Sequence, residues 1–591
     1  MKIKSLLIGM LACSAMVACT NEDPIDNGSE NPVKNGKKYY AAVNLAMSGN
    51  NSSRAAEHIG FADGEGTENE IKNATFFFLD ANGNSCADAY YVAEKIESDS
   101  NVGDDTDVLG SFDQKTSTLI VMENPTEVPS SIVVLINVDD ITGTNGALDE
   151  RASLDDIKNI VENYAAKLPN GMVMSNSTYV DVAKNVIVGA PVGIENIITD
   201  EEFELGDVVD EETFDATPVT IYVEKVLAKV TVSDNIGSNT QDLDGYSYTI
   251  VDENGATTSS TETFTVAINN WWLDSTPTIS NLLKEIENYD YEWDWNSISN
   301  YRSYWANSYV GEDQTYENHK YNSGVAAGES LYVQENTTDP TDVDTQEEDD
   351  AAEDADNTYD INNRTKVVVA ATLKDSQGNA ANMVKWYGKL YSKDAFLITL
   401  ANLNDVKKYY IKSESETETT YTSLTKENLE LVWNEDLADA SGEINGENQD
   451  NETDGTNDIR NYEAVVTLTE GTPETLYTQI NGNWTEVTKE DADNAIRSIS
   501  KVPYWNDGKT YYWVELQHIV DNNNVKYYGV VRNHLYKVNL TGLKGLGTPV
   551  PNPDKIIIPE TPGESDMETY ISANMIIQAY RVVSNDVILG E

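Results

Sequence analysis

Thr75-Phe76-Phe77-Phe78-Leu79-Asp80-Ala81-Asn82-Gly83-Asn84 runs from an apolar stretch directly into Asn-Gly, the dipeptide that most favours a tight hairpin turn. Similar punctuation returns at Asp252-Glu253-Asn254-Gly255 and at Asp375-Ser376-Gln377-Gly378-Asn379. An Asp-x-Asn-Gly start also opens calcium loops, but the rest of such a loop, with its terminal Glu, is missing, so turns are expected. Outward from this stretch lie further short runs rich in β-branched residues, Leu119–Met122, Ile132–Ile136 and Val219–Val223. Short strands with frequent turns predict an all-β chain of sandwich type with accessory helices. One helix is expected after Ser153, which with Asp156 forms an N-terminal cap; Leu154, Ile157, Ile160, Val161, Tyr164 and Leu168 follow at helical spacing before Pro169. A second, shorter one is expected from Ile279 to Tyr289.

The chain has 591 residues, more than one core accommodates, so at least two packed domains are expected. Ser233-Asp234-Asn235-Ile236-Gly237-Ser238 breaks the strand pattern and places the first boundary near 235, giving one domain over 55–235 and another over 236–548. Lys plus Arg number 39 against 101 Asp plus Glu, a net charge of −62 that repels phosphate backbones and excludes nucleic acid as a partner. Three Cys and the scattered His58, His319, His518 and His534 supply neither a zinc site nor a disulfide framework, and no cofactor or metal is expected. Glu335 to Asp356 is dense in acidic residues without a basic one, and a second acidic, Asn-rich stretch spans Glu435 to Asp458. Both read as solvated surface insertions, with weak calcium binding the alternative.

The first residues carry an export signal: two lysines by position 4, an apolar run Leu6–Val17, and small residues leading into Cys19. The run is too short to span a bilayer as a helix, so residues 1–18 are expected to be removed. Ala18-Cys19 resembles a bacterial lipobox, in which the cysteine is acylated; the alternative is an ordinary secretory signal with an incidental Cys. On the lipobox reading Cys86 is the only free thiol left.

A polar tether over 20–38 leads to Tyr39, Ala41, Val43, Leu45 and Met47, which alternate with their neighbours as a half-buried strand does. A loop of small polar residues follows and contains Arg54-Ala55, a good protease substrate. At the other end a proline-punctuated stretch opens 549–591 and leads to a second alternating strand, with Ile571, Ala573, Met575, Ile577 and Ala579 on one face and Val583, Val587 and Leu589 continuing its register. Two readings stay open: both strands pair within their own chain, or the first is released by a cut at Arg54 and a neighbour's last strand takes its place. Repeated head to tail, the second reading gives an open filament.

Several stretches together resemble the Bacteroidales fimbrilins, subunits of type V pili, and among them the shaft subunits of the minor fimbria. They are the lipobox at Cys19, Tyr39-Tyr40-Ala41-Ala42-Val43-Asn44-Leu45 ahead of Ser53-Arg54-Ala55, Val223-Glu224-Lys225-Val226-Leu227-Ala228-Lys229-Val230, Asn270-Trp271-Trp272, Val531-Arg532-Asn533-His534-Leu535-Tyr536-Lys537-Val538 and Tyr580-Arg581-Val582-Val583-Ser584-Asn585-Asp586-Val587. The resemblance implies two transthyretin-like β-sandwich domains and export as an outer-membrane lipoprotein. It further implies cleavage after Arg54 by an Arg-specific protease, loss of the lipidated propeptide 19–54, and polymerisation by strand exchange. The implied partners are copies of the chain itself and anchor and tip subunits, and the final location is an extracellular fimbrium supporting adhesion. A glycan-binding surface lipoprotein or a pilus anchor or tip subunit is the alternative, with Trp271, Trp272, Trp293 and Trp295 as candidate sugar platforms. No nucleophile elbow or metal motif is present, so an enzyme is not expected.

Overall fold

In the computed structural model the described residues are 38–47, 61–62, 66–93, 114–143, 146–180, 185–199, 217–234, 240–251, 256–286, 306–311, 313–337, 363–434, 463–520, 526–557, 559 and 570–580. The all-β expectation holds. The strands used below are β1 (Lys38–Met47), β2 (Phe61–Ala62), β3 (Ala74–Leu79), β4 (Tyr90–Val92), β5 (Gln114–Glu123), β6 (Ser131–Ile136), β7 (Met174–Asn176), β8 (Ile198–Thr199), β9 (Val219–Lys225) and β10 (Leu227–Asp234). They continue with β11 (Thr240–Val251), β12 (Thr257–Asp274), β13 (Ser330–Gln334), β14 (Lys366–Lys374), β15 (Met383–Trp386), β16 (Lys389–Ser392), β17 (Leu429–Trp433), β18 (Glu463–Leu468), β19 (Val502–Trp505), β20 (Lys509–Glu515), β21 (His534–Lys544), β22 (Thr548–Pro549) and β23 (Tyr570–Tyr580).

The turn after β3 forms as its residues dictate. Gly83 takes φ +80°, and the Asp80 carboxylate accepts the N–H groups of Asn82 and Asn84 at 2.7 and 2.8 Å. Asp375 does the same for Gln377 and Asn379, with Gly378 at φ +83°. These oxygens are occupied by backbone donors, which is the chemistry of an Asx turn. The turn at 252–255 lies outside the described residues.

The first sheet runs β8-β1-β9-β7-β6-β3-β4, with β5 paired to β1. Its strands share one apolar core: Ala41 and Val43 of β1, Ile120 and Met122 of β5, Phe76 to Leu79 of β3, Ile132 to Ile136 of β6, and Ile221 of β9. A second sheet, β2-β23-β21-β10-β13, and a ten-stranded sheet, β17-β18-β19-β15-β16-β11-β12-β14-β20-β22, contribute to a second core. Val230 and Val232 of β10 and Val538 and Leu540 of β21 meet there with Phe264, Val367, Val369 and Leu373, two sheets burying their apolar faces against each other. Along β10 the first core takes Leu227 and the second takes Ala228, Val230 and Val232, so this strand passes from one core to the other ahead of the pattern break at Ser233–Ser238. A third core packs α-helices over the β17-β18-β19 end of the large sheet, using Phe396 and Leu400 of the helix Lys393–Ala401 and Ile496 of the helix Lys489–Arg497.

Both helix expectations in the first half need correction. The cap at Ser153 forms, with its hydroxyl accepting from Asp156 N at 3.2 Å and its own N–H reaching Asp156 at 2.8 Å, but the α-helix stops at Lys158. Val161–Glu162 instead pairs with Ser280–Asn281, and only a 3-10 turn at Ala165–Asn170 follows. The stretch from Ile279 is not helical over its described part for the complementary reason. Pairing at Ser280–Asn281 lets Leu282 and Leu283 enter the first core, a gain that outweighs local helix propensity.

Candidate functional site at the terminal strands

The two ends of the described chain lie in different sheets. β1 is an interior strand: it runs antiparallel to β5 from Lys38↔Glu123 to Met47↔Gln114 without a break, parallel to β9 from Val43↔Val219 to Ala46↔Tyr222, and touches β8 at Tyr39↔Thr199. Ala41 and Val43 are fully buried and Tyr39 packs on the same core, as the alternation predicts. Tyr40, on the opposite face, is 8% exposed, so both faces are covered there. Leu45 and Met47 lie in β1. Lys38 Nζ pairs with Glu123 at 2.7 Å at the exposed end of the ladder.

Withdrawing β1 would strip a fully buried Val, worth about 1.5–3 kcal/mol, from the first core. It would also leave the inward backbone groups of β5 and β9 unpaired, a condition buried N–H and C=O groups do not tolerate.

β23 holds Ile571, Ala573, Met575, Ile577 and Ala579. It pairs antiparallel with β21, placing Met575 opposite Val538 and Ile577 opposite Tyr536, and the register shifts once between Leu540 and Gly542. On its other side, among the described residues, it meets only β2, in parallel, at Phe61↔Ala579 and Ala62↔Tyr580. Within this chain, therefore, both terminal strands are paired at home. Cys19, Arg54, Ala55, Val583, Val587 and Leu589 lie outside the described residues, as do Trp293 and Trp295.

Of the tryptophans offered as sugar platforms, Trp271 and Trp272 are core residues. Trp271 is 1% and Trp272 2% exposed, and Trp271 Nε1 donates to the Ala326 carbonyl at 3.1 Å. Among the described residues no group of three or more His, Cys, Asp or Glu could hold a metal ion.

Sequence reasoning missed a buried charge network between the first and second cores. Lys284 Nζ reaches Glu224 at 3.0 Å, both side chains wholly buried. Arg532, also buried, binds Glu335 at 3.0 Å and donates to the carbonyls of Leu282 and Asn281 at 2.9 and 2.7 Å. Burial holds the Glu224 carboxyl above its ordinary value, and Lys284 and Arg532 offset only part of that rise. Glu335 thus departs from the expected solvated insertion; the acidic run begins as a structural ion pair. Beside it His534 Nδ1 donates to the Arg532 carbonyl at 2.7 Å, and burial pulls this imidazole down to about 4. His518, bonded to the Tyr536 hydroxyl at 2.7 Å, is likewise lowered by burial. The available signal was charge inside apolar strands, as in Val223-Glu224-Lys225-Val226.

Residues 503–586, which run from β19 through β23, match the family model described as major fimbrial subunit protein type IV, fimbrillin, C-terminal. Over these residues the chain is similar to a fimbrillin C-terminal region. Arg532, His534 and the whole of β23 fall inside it. Among solved structures the chain is similar to a putative cell adhesion protein from Parabacteroides distasonis, at 11% identity and TM-score 0.31, covering 91% of this chain and 98% of that one. Another is a putative cell adhesion protein from Bacteroides eggerthii, at 10% identity and TM-score 0.28, covering 94% and 99%. A third is the tip fimbrial protein Mfa3 from Porphyromonas gingivalis with C-terminal truncation, at 9% identity and TM-score 0.31, covering 92% and 100%. Superpositions this loose carry no functional conclusion. No curated protein matches the chain.

Proposed function

We propose that this fimbrial subunit is a structural pilin, exported as a lipoprotein acylated on Cys19, cut after Arg54, and polymerised when the β23 segment of one copy enters the place vacated by β1 of the next. The fimbrillin match that includes β23 is the observation that carries this reading. The position of β1 supports it. The strand sits between β5 and β9, is joined to the body by a segment containing Arg54, and would leave a slot that an extended strand fills. β1 and β23 have 10 and 11 residues, so the donor is long enough to replace the lost strand. In its own chain β23 is held through an interrupted ladder and a two-residue contact with β2, whereas the β1–β5 ladder is unbroken. A charge of −62 keeps monomers soluble and opposes assembly at low salt, so filament formation should strengthen as salt screens it. The partners are further copies, anchor and tip subunits and an Arg-specific protease. The precursor resides at the outer membrane and the product in an extracellular fimbrium.

The test is the N-terminal residue of the surface-assembled protein, read by mass spectrometry beside an Arg54→Ala variant. Filaments beginning at Ala55, and none from the variant, are expected. An acylated Cys19 on the mature protein would overturn the shaft role in favour of a pilus anchor.

A further inference from the structure

If the strand before Arg54 leaves, something must decide where the unpeeling ends. Chain order after the cut is β2, a 3-10 turn at Gly66–Asn69, then β3 in the first core. Among the described residues, strand pairing ties β2 to β23 alone. The turn is different. Glu68 and Asn69 are polar yet 3% and 4% exposed. Glu68 Oε1 accepts from Lys229 Nζ at 2.8 Å and from the Tyr332 hydroxyl, and Asn69 Oδ1 accepts from Lys225 Nζ at 2.9 Å.

Their partners belong to the body. Lys225 ends β9, while Lys229 of β10 and Tyr332 of β13 stand directly opposite each other in the second sheet. Both lysines are buried, and these oxygens are among the groups that satisfy their ammonium donors. Just downstream Asn137 fixes the next residues, accepting from Lys72 N and donating to the Glu70 carbonyl, each at 2.8 Å. Resistance to peeling therefore rises sharply between residues 62 and 68, where a short strand contact gives way to buried, charge-assisted hydrogen bonds.

We propose that Glu68 and Asn69, gripped by Lys225, Lys229 and Tyr332, are the stop at which N-terminal unpeeling ends, and that they position the acceptor body for an incoming strand. This rests on the strand-removal reading above. The grip joins the segment leading into the first core to the sheet of the second, so it holds β3 in place while β1 is gone.

The full-length chain and its Glu68→Gln variant are each treated with an Arg-specific protease, the cut is verified by mass, and amide exchange is read over residues 66–79. Cut wild type should protect this stretch as well as uncut protein does. The cut variant should exchange on the order of a hundredfold faster there, the expectation for a broken buried ion pair. The uncut variant reports whether the substitution folds. If it does not, Tyr332→Phe removes one hydrogen bond and should give about tenfold. Equal protection in the cut variant and the cut wild type overturns the proposal, as does loss of protection over 66–79 in the cut wild type. Filaments are scored separately. Their absence alongside the expected exchange pattern sinks strand exchange and leaves the stop standing. A chain that is not cut at Arg54 refutes both.

Discussion

Replacing Lys284 by Met removes an ammonium whose only oppositely charged partner at ion-pair distance among the described residues is Glu224, 3.0 Å away in a site without solvent. The stranded carboxylate then keeps its charge at a cost of several kcal/mol or takes up a proton. Protonation sets the ceiling. From the ordinary value of 4.5, holding a carboxyl neutral at pH 7 costs about 3 kcal/mol, at about 1.4 kcal/mol per pH unit. The same step at pH 5 costs less than about 1 kcal/mol. Lys284→Met should therefore lose about 3 kcal/mol at pH 7 and about 1 at pH 5. Glu224→Gln combined with Lys284→Met, which removes both charges, should recover most of the loss. Guanidinium unfolding of the full chain followed by tryptophan fluorescence, at both pH values, reads these differences. A loss below about 1 kcal/mol at pH 7, or one that does not shrink with acid, would refute an ionised pair between the two cores.

Acid should weaken the fold through the histidines. The native state holds His534 near 4 while the unfolded chain titrates near 6.5, so the unfolded state binds more protons between those values. Stability falls as pH drops through that window, by about 3 kcal/mol at its foot, and His534→Gln should flatten the slope in a pH series of unfolding curves. Gly508→Ala should cost more than about 2 kcal/mol, since φ is +70° and the new Cβ would stand 2.2 Å from the Leu373 carbonyl oxygen; a thermal shift of under about 1 °C would contradict this. Cys86 is buried and its thiol is pushed up to about 11, so a thiol reagent at pH 8 should label it only on unfolding; prompt labelling of the native chain would show that the site opens.

Much of the fold was legible because strands announce themselves locally. Thr75–Leu79 before Asn-Gly and the β-branched run Ile132–Ile136 need only neighbouring residues to be read. The helix at Ser153 was half legible, for its cap is local and its end is not. Val161 pairs with Asn281, a partner more than a hundred residues away that no periodicity reveals. The third core was invisible for a similar reason, because its helices matter only once β17, β18 and β19 extend the large sheet. At the terminal strands, alternation identified β1 and β23, whereas their partners, β5 and β9 for one and β21 for the other, follow only from the tertiary arrangement. The ion network escaped because a charge in sequence reads as solvated, and Glu335 lies next to residues for which that reading is natural.

The parallel contact of β2 with the end of β23 suggests a route to a molecule that can accept a strand but cannot lend one. Phe61 and Ala579 are register partners, so the two backbones stand about 5 Å apart. A few glycines joining residue 580 to residue 61, with the chain opened instead at Tyr387-Gly388, an exposed hairpin tip where Tyr387 is 85% exposed, would tether β23 beside β21. Such a permutant lacks residues 1–60 and β1 with them, so under the proposed exchange it could take a neighbour's last strand between β5 and β9 but could not lend its own, and would act as a filament terminator.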